Sequence, residues 1–160
     1  AVAKRQGRLH RNFQGYSTQP DCDLIGLGVS AIGKVGATYS QSAKTLPEYY
    51  DALRAGVLPV VRGIALGRED LLRRAVISSL MCQGRLDFES FELAHLIDFR
   101  THFEPELEQL HKLAADGLLV FEPDGVQVTA LGWYFVRAIA MVFDQYLQAD
   151  RARERYSRVL

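Results

Sequence analysis

The densest set of side chains able to do chemistry lies near the start of the sequence, in His10-Arg11-Asn12-Phe13-Gln14-Gly15-Tyr16. Arginine can pair a carboxylate through two parallel hydrogen bonds, glutamine can bond a ribose or amino-acid group, and histidine can move a proton. The plainer reading of the same residues is a strand whose polar side chains are satisfied at a sheet end. A second candidate is Gly26-Leu27-Gly28-Val29-Ser30-Ala31. It has the outline of a dinucleotide-binding loop, but Ala31 stands at the third glycine position and no long helix clearly follows. It reads either as tight backbone packing or as a place where a flat ligand, such as an adenine, meets main-chain N–H and C=O groups.

Other chemistry lacks its residues. There is no Cys-x-x-Cys, His-Glu-x-x-His, phosphate-binding Walker loop or Gly-x-Ser-x-Gly. The two cysteines, Cys22 and Cys82, are too few for a disulfide framework, a structural zinc or an iron–sulfur cluster. Cys82 sits on an apolar helical stripe and reads as a small core residue. His95, His102 and His111 fall on helical segments without metal spacing and read as packing residues. Arg73 and Arg74 read as facing solvent or an interdomain carboxylate.

These groups must be positioned by a chain of 160 residues, 48% hydrophobic, 24% charged and 10% aromatic. Such a composition is globular and long enough for a real core. Nineteen basic residues balance nineteen acidic ones, so no global positive field draws the chain to nucleic acid or to an acidic membrane. No apolar run approaches the ~20 residues that span a bilayer. Lys4, Arg5 and Arg8 lead into polar sequence rather than a signal-peptide core. A cytoplasmic setting is therefore expected. Because the chain begins Ala-Val-Ala, it is expected to be a piece of something longer.

Glycine is dense before residue 45, at positions 7, 15, 26, 28, 33 and 36. Residues 9–16 and 24–32 are predicted as strands, and their poor alternation suggests a parallel sheet covered on both faces. A helix is predicted over 46–55, with Thr45 as cap, Pro47 in the first turn and Gly56 as its stop. Residues 57–67 read as an apolar connector that packs against something.

Helical periodicity then takes over. Helices are predicted at 69–82, at 86–96 with Asp87 as cap, and at 101–116, where Phe103, Leu107, Leu110 and Ala114 share a face. Strands at 118–122 and 126–129 flank the turn Pro123-Asp124-Gly125, with Gly125 expected at positive φ. A helix over 131–147 follows, apolar around most of its circumference and so expected to be buried on more than one side. A charged tail ends the chain. Three helices followed by a hairpin is the order of a winged helix.

The sequence also resembles a family. His10-Arg11-Asn12-Phe13-Gln14-Gly15-Tyr16 and the run from Asp23 to Ile32 resemble the C-terminal third of the oxygen-independent coproporphyrinogen III oxidases. Ala43-Lys44-Thr45-Leu46 with Tyr49-Tyr50 continues the likeness. So do Arg73-Arg74-Ala75-Val76-Ile77, Leu80-Met81-Cys82 and Met141-Val142-Phe143-Asp144. The likeness runs over essentially the whole chain. It implies radical S-adenosylmethionine chemistry, in which two propionates of coproporphyrinogen III are oxidatively decarboxylated to give protoporphyrinogen IX in haem synthesis.

The family's [4Fe–4S] cluster is held by a Cys-x-x-x-Cys-x-x-Cys motif in an N-terminal barrel, and these residues lack that motif. The resemblance therefore implies an α+β piece. Residues 1–56 would be the last strands and helix of the radical SAM barrel, 57–67 a connector, 68–149 a winged-helix-like helical domain over the active-site opening, and 150–160 a charged tail. It implies no catalytic residue and no metal ligand here. Two contacts to a second S-adenosylmethionine are implied, from Gln14 and from the backbone of Ile32. Expected partners are coproporphyrinogen III and the N-terminal barrel of the same polypeptide, with no nucleic acid, no membrane, and a monomeric full-length enzyme. Gln83-Gly84 stands where the family usually has Asn-Phe, and Trp133 and Ala138 where it has Arg and Asn. The competing expectation is a winged-helix module that binds nucleic acid.

Overall fold

The computed structural model describes residues 2–12, 15–19 and 22–149. The first region is built from short strands. A helical turn, α1 (Val2–Arg5), precedes β1 (His10–Asn12) and β2 (Gly15–Ser17), which pair antiparallel. Next come β3 (Ile32–Val35), β4 (Thr38–Ser42), helix α2 (Leu46–Arg54) and β5 (Val60–Ala65). The three strands form an antiparallel sheet in the order β3-β4-β5, with a register shift between Gln41 and Ser42.

Four expectations change here. The parallel sheet is replaced by antiparallel pairing. The strand expected over 24–32 contracts to a bridge between Leu24 and Lys34, because Gly28 at φ +102 and Ser30 at φ +62 cannot continue an extended ladder. The strand expected over 9–16 is two arms of a hairpin. Residues 57–67, read as a connector, supply strand β5, whose six residues are all exposed.

Helix α2 begins and ends as the sequence indicates. Pro47 lies in its first turn, the Thr45 hydroxyl donates to Glu48 at 2.7 Å, and Gly56 at φ +72 ends it.

The second region carries the core. Helix α3 (Arg68–Gln83) is followed by β6 (Arg85–Asp87), α4 (Phe88–His95), α5 (Phe99–His102), α6 (Glu104–Ala115), β7 (Leu119–Glu122) and β8 (Gly125–Val128). Strands β6, β8 and β7 make an antiparallel sheet in that order. This is the winged-helix arrangement, with one short strand, β6, that the sequence does not announce.

The helix expected over 101–116 breaks at Phe103. Pro105 in the first turn of α6 has no N–H for a continuing helix and starts a new one instead. Asp87 and Asp98 cap α4 and α5, accepting from the amides of Ser90 at 2.9 Å and Thr101 at 2.7 Å. These bonds hold both carboxyls below the usual carboxylate range.

The final helix is also broken. A 3-10 turn (Gly132–Phe135), α7 (Val136–Ala140) and a second 3-10 turn (Met141–Phe143) replace it. It is buried on one side only, for Tyr134 is 87% exposed.

Phe99, Phe103, Phe143, Leu80, Leu86, Leu110, Leu119 and Ile139 fill the core, with Phe103 in contact with Phe99 and edge-on to Phe143. Glycines let its layers close. A Cβ at Gly125 would collide with the Leu86 carbonyl, and one at Gly132 with the Leu118 carbonyl. Gly125 is therefore needed for close approach of two strands, and not for the positive φ expected of it. Gly84, at φ +70, ends α3, and a Cβ there would collide with the Trp133 indole. The Trp133 indole thus takes the volume that a larger residue 84 would need.

Candidate functional site

The β1–β2 hairpin lies along α3. Tyr16 donates its hydroxyl to the Met81 carbonyl at 3.3 Å, and Gln83 donates its side-chain amide to the Leu9 carbonyl at 3.4 Å. Between hairpin, sheet and helix is a cleft of about 310 Å³. The hairpin contributes His10, Arg11 and Asn12, the sheet contributes Lys34 from β3 and Tyr39 from β4, and α3 contributes Arg74, Ile77, Ser78 and Met81. A second cavity of about 340 Å³ adjoins it and shares His10, Arg11, Arg74 and Ser78.

The spacing on α3 explains how one helix serves both core and cleft. Leu72, Val76 and Leu80 face the core. Positions 74, 77, 78 and 81 follow the i, i+3, i+4, i+7 rule for a neighbouring face. On β3, alternation places Ile32 and Lys34 on one side.

The described lining of the cleft includes Arg11, Lys34 and Arg74. Lys34 is only 8% exposed. The Arg11 guanidinium lies 5.8 Å from the Tyr16 ring centre and that of Arg74 lies 5.7 Å from the Tyr39 ring centre. Cys22 also lines the cleft and is exposed. Cys82 is buried, as expected of a core residue, and burial pushes its thiol up despite the nearby Arg11 charge.

Of the two arginines paired in sequence, Arg73 is held in a network within the chain. It bonds Glu69 at 2.5 Å, Glu106 at 2.7 Å and the Phe143 carbonyl at 3.2 Å, and packs over the Phe103 ring. Burial opposes its charge, but the bonds it donates to Glu106 and Glu69 outweigh this and raise its pKa. His102 joins this network through Glu69 at 2.9 Å. His111 stacks on Phe121 and His95 on Phe91, which are the packing roles expected of them.

The two implied cofactor contacts fare differently. Gln14 lies outside the described residues, as does the charged tail 150–160. Ile32 opens β3 opposite Gln41, half-buried, with its carbonyl packed against Gly26, where a Cβ would sit 2.6 Å from the oxygen. The glycine run is thus tight backbone packing at Gly26 and a loop around Gly28, whose amide donates to the Tyr49 hydroxyl at 3.2 Å. Sequence reasoning marked His10 and Arg11 but missed Lys34, Tyr39 and Arg74. The second helical face was the available signal for Arg74, and nothing local marked Lys34.

Residues 66–135 match the family model for the HemN C-terminal domain. The match covers the winged-helix elements from the start of α3 to the first 3-10 turn. Relatives extend it to the whole sequence. An oxygen-independent coproporphyrinogen III oxidase of Escherichia coli is 46% identical over 160 residues, spanning 100% of this chain and 35% of the relative. One from Synechocystis is 44% identical over 164 residues, with 100% and 35% covered. The solved structure of coproporphyrinogen III oxidase (HemN) from Escherichia coli, a radical SAM enzyme, superposes with a TM-score of 0.88 at 48% identity, covering 91% of this chain and 34% of that one.

The chain is thus similar, over its whole length, to part of these oxidases, and its residues 66–135 match the HemN C-terminal domain. It spans about a third of the length of the curated HemN relatives it matches. The HemN likeness supports the oxidase reading and not the nucleic-acid module. The charges agree, since α6, the helix a winged-helix reader would use, carries Glu104, Glu106 and Glu108 against Lys112. A HemN-type cluster does not fit these residues. The sequence has two cysteines, and no group of three metal-ligating side chains occurs among the described residues. No helix among those residues is long and apolar enough to cross a membrane.

Proposed function

We propose that this chain works as the C-terminal part of an oxygen-independent coproporphyrinogen III oxidase. In this reading residues 1–56 close a radical SAM barrel, 57–67 lead out of it, 68–149 cover its opening, and 150–160 form a tail. Strand β5, within 57–67, pairs antiparallel with β4. The single observation that carries the reading is the fit, in sequence and fold over nearly the whole chain, to proteins that perform this reaction.

The hydrogen-abstracting chemistry, supplied by the cluster and S-adenosylmethionine, belongs to residues outside this chain. These 160 residues bind, orient and exclude water. The Ile32 backbone, closely packed on Gly26, is the proposed contact to a second S-adenosylmethionine, together with Gln14. The cleft between β3 and α3 places Arg11, Lys34 and Arg74 beside that strand. The winged helix, with a large core of its own, is a rigid cover that keeps solvent from the reacting groups.

The test is anaerobic turnover of coproporphyrinogen III, with S-adenosylmethionine and a reductant. It compares a polypeptide of the relatives' full length containing this chain with one lacking residues 66–149. The reading expects protoporphyrinogen IX from the first and at least a hundredfold less from the second. Equal turnover by both, or none by the first, would overturn it.

A further inference from the structure

We propose that Tyr49, on α2, is a positioning residue for the ligand that meets the Ile32 main chain, because its hydroxyl holds the arch of residues 26–31 that leads into β3. The inference deepens the proposed function and rests on its placing of a second S-adenosylmethionine at Ile32.

The direction of the backbone comes first. Lys34 and Leu24 exchange both main-chain hydrogen bonds, each at 2.7 Å. Along an antiparallel strand such bonds alternate from side to side. The N–H and C=O of Ile32, two residues earlier, therefore face the same side as those of Lys34, away from β4. A ligand on that side is read by main chain, so its fit depends on where the arch delivers the strand.

The arch itself needs holding. Gly28 at φ +102 and Ser30 at φ +62 both take left-handed backbone, which a serine adopts only at a cost. A Cβ at Gly26 would come within 2.6 Å of the Ile32 carbonyl oxygen, so the arch packs directly on the group that the ligand meets. Strained backbone of this kind persists where its surroundings fix it, and it gathers at ligand sites.

Two ties at the Ile32 end are main chain. The Ser30 amide donates to the Ala43 carbonyl at 2.8 Å, and the Ser42 amide to the Ala31 carbonyl at 2.9 Å. The crown of the arch is held by a side chain instead: the Gly28 amide donates to the Tyr49 hydroxyl at 3.2 Å. Tyr49 is half-buried, and its helix is fastened to the sheet, since the Ala43 amide donates to the Pro59 carbonyl at 2.7 Å across the two ends of the α2 excursion. Support from behind the contacting group is what keeps a site within the narrow tolerance that binding requires. Tyr50, next along, is exposed and meets the Tyr49 ring edge-on.

The experiment uses the full-length, cluster-loaded polypeptide with Tyr49→Phe, which removes only the hydroxyl, with Gly26→Ala, and with Tyr50→Phe as control. Binding of S-adenosylmethionine is read by equilibrium dialysis, and KM for it is separated from kcat. Hydrogen exchange over residues 26–33 is followed without ligand. Loss of one neutral hydrogen bond predicts roughly three- to tenfold weaker binding of one of two equivalents in Tyr49→Phe, with the other unchanged. KM should rise by the same factor, kcat at saturation should stay within twofold, and exchange over 26–33 should quicken at least threefold. Tyr50→Phe should match the parent throughout.

Binding of both equivalents within twofold of the parent in Tyr49→Phe, or an equal loss of both, would overturn the proposal. So would the same losses in Tyr50→Phe, or a parent that takes up a single equivalent. If Gly26→Ala weakens one equivalent and Tyr49→Phe weakens none, positioning by Tyr49 fails and the Ile32 contact stands. If neither weakens any, the Ile32 contact fails with it. A parent that does not turn over coproporphyrinogen III counts against the proposed function, and the dialysis and exchange arms still decide the role of Tyr49.

Discussion

The two regions of this chain bury themselves to very different degrees. From Leu72 to Phe143 a continuous cluster of apolar side chains is closed off from water. Before residue 66, the buried described positions are Gly33, Lys34, Ser42 and Ala43. Meanwhile Ile25, Leu27, Val57, Leu58, Val60, Val61 and Ile64 are exposed. Hydrophobic burial scales with area removed from water, so the winged helix has the means to hold itself together. The antiparallel sheet is a wall: it has hydrogen bonds and strand register but little interior. A long edge strand with exposed apolar residues is a liability in isolation and ordinary in a protein that covers it. The difference sets a self-buried unit beside an exposed apolar surface within one chain.

Substitutions can break this contrast. Phe103→Ala, in the middle of the aromatic cluster, should cost about 3–5 kcal/mol in chemical denaturation. A cost below about 1 kcal/mol would mean the core is not where stability resides. Gly125→Ala, which drives a Cβ into the Leu86 carbonyl, should cost about 1–3 kcal/mol or more, as overpacking does. Gly84→Ala should be destabilising in the presence of Trp133 and less so in Trp133→Ala. A double-mutant coupling of at least ~0.5 kcal/mol is expected for residues in contact. Ile64→Ser, on the exposed edge of β5, should shift stability of this chain by no more than about 0.5 kcal/mol. A large loss there would show that the sheet carries energy the structure does not display.

A smaller effect sharpens the contrast through pH. Asp70 accepts hydrogen bonds from the Gly67 amide at 2.8 Å, the Tyr146 hydroxyl at 2.8 Å and the Gln145 amide at 2.7 Å. The Gly67 bond leads in holding its carboxyl below the usual range. A depressed carboxyl stabilises the folded state above its unfolded-state pKa, and that stabilisation fades as pH falls through the folded value. Asp70→Asn should therefore flatten the acid limb of the stability curve below about pH 4, while leaving its shape above pH 6 unchanged. An unaltered acid limb would show that this tie between α3 and the segment after Phe143 does not form.

Legibility in the sequence followed burial. Helices α2, α3 and α4, and the hairpin of β7 and β8, were readable because period, caps and turn residues agreed. The glycines at 26 and 28 hid the true start of β3, since a run of short apolar residues looks extended whether or not the backbone can be. Pro105 was the sign that the helix over 101–116 would break, and helical periodicity on both sides of it masked the interruption. Strand β5 was missed because an exposed apolar strand has no alternation to announce it. In the cleft, His10 and Arg11 stood out as a local cluster. Lys34 acquires its setting from the bridge between Leu24 and β3 and from the packing of α3 more than thirty residues away. Such convergence is tertiary and leaves no local pattern.

Native-state hydrogen exchange, performed on these 160 residues and on a full-length polypeptide containing them, tests the contrast most directly. In the short chain the amides of residues 76–82 and 126–128 should open only with global unfolding, while those of 60–65 exchange through local opening. In the longer polypeptide the winged-helix amides should be unchanged and those of β5 should gain at least a hundredfold in protection. Equal protection of β5 in both polypeptides, or of β5 and α3 within the short one, would contradict the account.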